Sequence, residues 1–186
     1  MQDLSDEELA RRVQENGDQL AFGLLLERFE KKLLGYGRRF LSQKEEVADL
    51  VQEVFLKSYM NIQSYDSSRK FSPWIYRIAH NVFVNAIKKR SREPLSFFDP
   101  DTLFPHVAGK ESSDREVIDK ELRRALDESL GTLDAKYREP LVLYYFEDLS
   151  YEDIADILHI PVSTVGVRLK RGRDALKKVI DPSHVS

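Results

Sequence analysis

The stretch Leu149–Lys178, LSYEDIADILHIPVSTVGVRLKRGRDALKK, decides how this chain folds. Ser150 is followed three residues later by Asp153, the capping-box spacing that satisfies free backbone N–H groups at a helix start. Ile154, Ile157 and Leu158 then recur at helical spacing. His159-Ile160-Pro161 ends that helix, because proline disfavours the helical conformation in the residue before it. A second helix follows, with Val165, Leu169 and Leu176 on one side. Ser163, Thr164, Val167, Arg168, Lys170 and Arg171 lie around the other. Two short helices joined by a tight break, the second basic and fronted by hydroxyl side chains, spell a helix-turn-helix shaped to enter a DNA major groove. The alternative on these residues is a helical hairpin with a solvated basic face. Capping, turn, apolar spacing and charge all agree on the DNA-binding reading, which favours it.

Working outward, the 186 residues are enough for one large or two small domains. Hydrophobic residues make up 41% and charged residues 33%, a balance that suits a folded helical protein better than a disordered one. The chain has no cysteine, so disulfides, thiolate metal sites and cysteine nucleophiles are excluded. No apolar run approaches the roughly 20 residues needed to cross a bilayer. The opening MQDLSDEELARR is acidic and polar, unlike a signal peptide, so a cytoplasmic location is expected.

A net charge of -3 argues against nucleic acid until its distribution is read. Between Ser67 and Arg92 stand Arg69, Lys70, Arg77, Lys88, Lys89, Arg90 and Arg92, with no acidic residue. Between Gly166 and Lys178 stand Arg168, Lys170, Arg171, Arg173, Lys177 and Lys178 against Asp174 alone. Two basic patches, with an acidic segment between them, predict two contacts with phosphate.

The rest of the chain is thick with helix signals. Ser5 with Glu8 forms a capping box, and Leu4 and Leu9 are placed for a hydrophobic staple around it. Asp18 can cap a second helix carrying Leu20, Leu24, Leu25 and Phe29. Ser42 with Glu45 opens a third, striped by Val47, Leu50, Val51, Val54, Phe55 and Ser58. Ser72-Pro73 reads as the N-cap and first-turn pair of a fourth. One face of that helix holds Ile75, Ile78, Ala79, Val82, Phe83, Ala86 and Ile87. The other holds Trp74, Arg77, Asn81, Val84, Asn85 and Lys88.

Ser91–Ser113 carries three prolines and no helical period, as a linker does. Its spaced Leu95, Phe97, Phe98, Leu103 and Phe104 are suited to docking, either on a partner or on the chain's own domains. Helical spacing resumes at Val117, Ile118, Leu122, Leu126 and Leu130, with Gly131 as a stop. A further helix is expected from about Asp134 to Glu147, kinked or starting late because of Pro140. No stretch alternates with period two. The expectation is an all-α chain of two helical domains joined by a flexible linker, the C-terminal one a helix-turn-helix. Their boundaries fall at 1–92, 93–113 and 114–181.

Three stretches together resemble the extracytoplasmic-function (ECF) group of bacterial sigma factors in the sigma-70 family. DLVQEVFLKSY, Asp49–Tyr59, is similar to that family's core-polymerase-binding helix. FSPWIYRIAHNVFVNAIKKRSR, Phe71–Arg92, is similar to its minus-ten recognition helix. YREPLVLYYFEDLSYEDIADILHIPVSTVGVRLKRGR, Tyr137–Arg173, is similar to its minus-thirty-five-reading domain. Each motif alone is weakly specific; three in this order, with a linker in the expected place, are strongly so. Ser163 stands where the family usually has glycine, Gly166-Val167 where it has a basic-plus-small pair, and Pro140 where it has an ordinary helix former.

The resemblance implies a protein that guides core RNA polymerase to promoter DNA and helps to melt it, with an anti-sigma protein as a further partner and no membrane insertion. It places Asp49, Gln52, Glu53, Phe55 and Leu56 on the helix that meets polymerase; on the residues alone, the same set is an ordinary solvated acidic face. It assigns the minus-ten element to the Asn61–Lys70 loop and the helix after it. Tyr65, Ser67, Ser68 and Arg69 would hold a flipped base, with Lys70 beside them. Asn81 and Asn85 would read base edges, Lys88, Lys89, Arg90 and Arg92 would meet phosphate, and Arg77 belongs to the same minus-ten surface. Trp74 is suited to stacking on a base, although a tryptophan just inside a helix start more often packs in the core. In the C-terminal helix, Ser163, Thr164, Val167, Arg168 and Arg171 form the expected groove-facing set. Lys170, Arg173 and Lys177 would hold phosphate.

Two other classes compete. An enzyme would need a catalytic constellation, yet His80, His106, His159 and His184 stand alone without metal-ligand spacing, and no glycine-rich phosphate loop occurs. No catalytic residue, cofactor or metal is expected. A stand-alone helix-turn-helix repressor or activator would explain the C-terminal domain but leave the asparagine-bearing basic helix before Arg92 without a purpose.

Overall fold

The chain forms helices where local caps and apolar spacing ask for them, and the computed structural model describes residues 3–41, 43–90, 129 and 133–180. Among the described residues there is no strand. Two compact units, Met1–Leu95 and Ser96–Ser186, make up the chain. The expected domain boundaries, the Ser91–Ser113 linker and the helix around Val117–Leu126 lie outside the described residues.

In the first unit, α1 (Asp6–Asn16) starts at the expected capping box. Glu8 N–H donates to Ser5 Oγ at 3.2 Å, and Ser5 N–H donates to Glu8 Oε2 at 2.8 Å. It ends at Gly17, whose φ of 62° is the left-handed conformation that glycine adopts without a Cβ penalty. Helix α2 (Gln19–Arg38) is capped by Asp18, which accepts from the backbone of Leu20 and Ala21 at 3.0 Å each. Helix α3 (Lys44–Asn61) begins after Gln43, which makes no side-chain cap bond, and a 3-10 turn (Ile62–Ser64) follows it. Ser42, expected to open this helix with Glu45, lies outside the described residues.

Helix α4 (Phe71–Arg90) starts two residues earlier than the Ser72-Pro73 reading expected, and Ser72 lies inside it. The reason is non-local: Phe71 N–H donates to Glu7 Oε1 on α1 at 3.0 Å. Pro73 still falls in the first turn, where its missing N–H has no intrahelical partner to lose.

These helices pack around a common core, α1 on α2, α2 on α3 and α3 on α4, with α4 returning to α1. Leu9 and Val13, then Leu25, Phe29, Leu33 and Tyr36, then Val47, Val51 and Val54, then Phe71, Ile75, Tyr76 and Ala79 are all buried. Phe29 meets Phe71 edge-to-face at 5.4 Å, and Tyr36 meets Tyr76 at 5.4 Å. A Cβ on Gly37 would come within 2.7 Å of Val47 Cγ1 and 3.0 Å of Phe83 Cζ. The end of α2 thus approaches α3 and α4 closely because that side chain is missing. Leu20, read as apolar stripe, is instead 71% exposed, since the buried ladder runs Ala21, Leu25, Phe29.

In the second unit, α5 (Ala135–Tyr145) is capped by Asp134, which accepts from Lys136 N–H at 3.1 Å. The helix begins well before the buried Pro140, so the late start does not occur. Pro140 leaves the Lys136 carbonyl without its usual intrahelical donor. Helix α6 (Tyr151–Leu158) opens on the expected box, with Asp153 N–H donating to Ser150 Oγ at 3.1 Å. It closes at His159 in the left-handed conformation, φ 54°, where Ile160 N–H reaches back to the Ala155 carbonyl at 3.1 Å. The Pro161 carbonyl then accepts from Thr164 and Val165 N–H at 2.9 and 3.2 Å as α7 (Val162–Ile180) begins. Helix α7 packs on both α5 and α6. The core here is Leu141, Leu143, Ile154, Ile157, Val165, Leu169 and Leu176. Tyr144 and Tyr145 are both buried and meet edge-to-face at 4.9 Å. A Cβ on Gly172 would lie 2.7 Å from Leu141 Cδ1, so this glycine lets α7 and α5 approach.

Candidate functional site

Three surfaces carry the residues singled out by the sequence, and each is produced by a helix whose other face is core. On α3, burial of Val47, Val51, Val54 and Ser58 turns Asp49, Gln52, Glu53 and Leu56 outward together. Leu56 is 65% exposed. Glu53 Oε1 pairs with Lys57 Nζ at 2.7 Å along the helix, both side chains nearly half exposed. Such a pair contributes well under about 1 kcal/mol and is readily exchanged for another partner. Phe55 does not join the outer row: it is buried and forms part of the floor of a groove between α2 and α3.

That groove encloses about 530 Å³ and is lined by Gln19, Phe22, Leu26, Gln52, Phe55, Leu56 and Tyr59. A narrower stretch lined by Leu26, Glu27, Glu30, Leu34 and Ala48 lies along the same two helices. Phe22 and Tyr59 meet edge-to-face at 4.9 Å, and the exposed Met60 and Leu20 lie on the same pair of helices. Sequence reasoning found the α3 side of this surface and missed the α2 side. Phe22 and Leu26 fit the helical spacing of α2 without saying which partner they face.

The second surface is the 62–70 loop and α4. Asn81, Asn85, Lys88 and Lys89 are all exposed, a line of amides and cations opposite buried Ile75, Ala79, Val82 and Phe83. Arg77 is half-buried on the same helix, and the Arg90 side chain lies outside the described residues. Ser68, Arg69 and Lys70 are exposed and Ser67 is half-buried.

Tyr65, expected to help hold a flipped base, is buried, and Trp74 takes the core packing that was weighed against stacking. Trp74 is 8% exposed and Tyr65 4%. With Phe71 they form an aromatic cluster whose ring centroids are 5.3–5.4 Å apart. The physical reason is α4's early start, which carries Phe71 and Trp74 onto one inward face beneath the loop. The Tyr65 hydroxyl donates to the Arg69 carbonyl. Burial, then the carboxylates of Glu7, Asp66 and Asp6, push that hydroxyl far above the ordinary tyrosine range, so it stays protonated.

Asp66, which sequence reasoning did not select, shapes the exposed part of the loop. Its Oδ1 accepts from Ser68 Oγ at 2.7 Å and Ser68 N–H at 3.0 Å, an Asx turn. These bonds hold its carboxyl below the usual carboxylate range. Glu7 and Gln14 were missed too, because they lie some fifty to sixty residues away in sequence. Gln14 Nε2 donates to the Ile62 and Tyr65 carbonyls at 2.8 and 2.7 Å. Burial raises the Glu7 carboxyl pKa, but hydrogen bonds from the Phe71 N–H, its own N–H and Ser5, with the nearby Lys70 charge, leave it below the ordinary value.

The third surface is the outer face of α7. Val167, Arg168 and Arg173 are half-buried, Ser163 is half-buried, and Lys170 and Arg171 are exposed. Thr164 departs from the groove-facing set. It is fully buried, because the turn at Pro161 rotates it inward beside Val165. Among the described residues no group of three or more His, Cys, Asp or Glu side chains is placed to hold a metal ion, and no helix is long and apolar enough to cross a membrane.

Comparison with known proteins gives these surfaces a context. Residues 25–93 match sigma-70 region 2, and residues 123–176 match sigma-70 region 4. The chain is 36% identical over 170 residues to the ECF RNA polymerase sigma factor SigW of Bacillus subtilis, covering 87% of this chain and 90% of the relative. The structure of CnrH in complex with the cytosolic domain of CnrY is similar with a TM-score of 0.68 and 26% identity, covering 95% of this chain and 97% of that one. The sigma factor RpoE of Bartonella quintana, in complex with the anti-sigma factor NepR, is similar with a TM-score of 0.62 and 25% identity, covering 86% of this chain and 96% of that one.

Proposed function

The chain belongs to the sigma-70 family, in its extracytoplasmic-function group, and on that premise we propose how its surfaces divide the work of starting transcription. It is a sigma factor that binds core RNA polymerase and directs initiation at specific promoters. Asp49, Gln52, Glu53 and Leu56, with the groove floored by Phe55, dock on polymerase. The 62–70 loop and the exposed line of α4 engage the minus-ten element as it melts. Ser67, Ser68 and Arg69 hold a flipped base, Asn81 and Asn85 read base edges, and Lys70, Lys88, Lys89 and Arg90 neutralise phosphate. Tyr65 and Trp74 support this surface from beneath. Ser163, Val167, Arg168 and Arg171 read the minus-thirty-five element from the major groove, while Lys170 and Arg173 hold its phosphates.

In this reading the functional parts are residues 1–92 and 114–181, joined by 93–113. The protein catalyses nothing itself and acts in the cytoplasm, where polymerase and DNA are. CnrH is seen with the cytosolic domain of CnrY and the Bartonella protein with an anti-sigma factor. By the same logic an anti-sigma protein is a partner here.

The observation that carries this reading is the exposed line Asn81, Asn85, Lys88 and Lys89 on α4. A helix-turn-helix alone suits a repressor equally well, and a repressor has no use for a second, amide-bearing basic helix. The test is dependence on core enzyme. Purified alone, the chain should bind duplex promoter DNA weakly; with core polymerase it should direct initiation from defined starts in a randomised promoter library. Tight, specific duplex binding by the free chain, with no transcription on adding core, would establish a repressor instead.

A further inference from the structure

We propose that Glu7 and Gln14 on α1 are positioning residues for minus-ten recognition, holding the Ile62–Lys70 loop and the first turn of α4 in the shape that receives an unpaired base. The inference rests on the reading of that loop as the minus-ten element's site. Helix α1 packs through Leu9, Ala10 and Val13, which are buried. Glu7 and Gln14 are only half-buried on its flanks, and their bonds to the loop and to α4 are to backbone. Gln14 Nε2 donates to two carbonyls of the turn, those of Ile62 and Tyr65, and Gln63 Nε2 returns a bond to the Gln14 carbonyl at 3.0 Å. Glu7 accepts from Phe71 N–H, one of the donors that a helix start leaves without an intrahelical partner. The loop is therefore pinned at both ends from one helix, Gln14 at its beginning and Glu7 at its exit.

Helix α1 is itself anchored. Arg28 of α2 donates to the Leu4 carbonyl at 2.9 Å and pairs with Asp6 at 2.7 Å, fixing the start of α1 against α2. Between the two pins, Tyr65 bonds the Arg69 carbonyl and Asp66 folds Ser68 back, so the exposed side chains of Ser68, Arg69 and Lys70 project from a turn already formed. A preformed turn loses less conformational freedom when a base enters it, and that saving appears as tighter, more selective binding. Helix α1 has no groove-reading role in this arrangement; it acts through the loop.

The test uses the full chain bound to core polymerase and partly melted promoter probes with an intact or a substituted minus-ten strand. Glu7→Ala and Gln14→Ala should each lower the ratio of affinities for the two probes, by about tenfold where a backbone pin is lost. Affinity for core polymerase and preference at the upstream element should not change. Glu7→Gln should retain the ratio, because its amide oxygen still accepts from Phe71 N–H. Gln14→Glu should not, because a carboxylate cannot donate to the Ile62 and Tyr65 carbonyls. An unchanged ratio in Glu7→Ala and Gln14→Ala, while Arg69→Ala loses it, overturns the proposal. So does a fall in core affinity and melting temperature that accounts for the whole loss, which is the signature of general destabilisation. If Arg69→Ala and Ser68→Ala leave the ratio intact, the reading of the loop fails, and amide hydrogen exchange then judges the pins directly. Exchange over residues 62–71 should be faster in Glu7→Ala and restored in Glu7→Gln; equal exchange in all three overturns the proposal.

Discussion

The two regions proposed to face DNA are held in opposite ways. The helix-turn-helix of the second unit is built from neighbours in sequence: Asp134 caps α5, Ser150 and Asp153 box α6, His159 closes it, and Pro161 launches α7. The loop and α4 of the first unit depend on partners 48 to 64 residues distant, Gln14 and Glu7. A locally specified element presents its surface wherever its own residues fold. A remotely braced one presents it only when the whole unit has assembled, which links the shape of the loop to the integrity of α1. The lesson is that two surfaces with similar basic composition differ in what can disturb them.

The single tryptophan, Trp74, lies in the first unit, so its fluorescence reports that unit while far-UV circular dichroism reports both. The largest effect should come from Phe29→Ala. It removes a fully buried ring that touches Phe71, and should cost about 3–5 kcal/mol. The fluorescence midpoint in urea should fall, with a residual dichroism transition left for the second unit. Coincident loss of both signals would show instead that the units unfold as one.

Next is Gly172→Ala. Helix propensity favours alanine by up to about 1 kcal/mol, but the new Cβ would lie 2.7 Å from Leu141 Cδ1. Leu141 is fully buried, and overpacking of this kind costs about 1–3 kcal/mol. The substitution should destabilise on balance, shifting the dichroism transition and not the fluorescence one. Arg171→Ala, at about 1–3 kcal/mol of discrimination if a bidentate base contact is lost, should weaken use of the upstream element. Asn85→Ala should instead impair melting at the minus-ten element, seen by permanganate footprinting. Identical defects from these two substitutions would erase the division of labour.

Ser150→Ala tests how far the second unit depends on its local caps. Losing the capping box should cost about 0.5–2 kcal/mol in the second unit alone, read by dichroism. The smallest effect concerns pH. Glu7 titrates below its unfolded value, so its contribution is fully present above the ordinary glutamate pKa of about 4.3 and is lost as pH falls through the lower folded value. The stability difference between wild type and Glu7→Gln, followed by Trp74 fluorescence, should therefore shrink on acidification below pH ~4. A difference that grows instead would mean that the Glu7 carboxylate is not favoured by folding.

Within the second unit, the helix-turn-helix of α6 and α7 was legible almost residue by residue. Ser150, Asp153, Val165, Leu169 and Leu176 stand where their spacing puts them, because caps and the 3.6-residue period act within a few positions of each other. Thr164 was the exception. A hydroxyl beside a helix start reads as a surface group, and only the turn at Pro161 decides that it faces inward. In the first unit the sequence marked the exposed faces of α3 and α4 but not what lies behind or beside them.

Local sequence was enough for the helical character of both units, the caps of α1, α2, α5 and α6, the basic and amide-bearing faces and the family resemblance, because each is written in neighbouring residues or in residue type. Only the tertiary structure decided that Phe55 floors a groove shared with Phe22 and Leu26, that Tyr65 and Trp74 are buried together, and that Glu7 starts α4. Those facts depend on which helix faces which, and hydrophobic periodicity names the buried side of a helix without naming its neighbour.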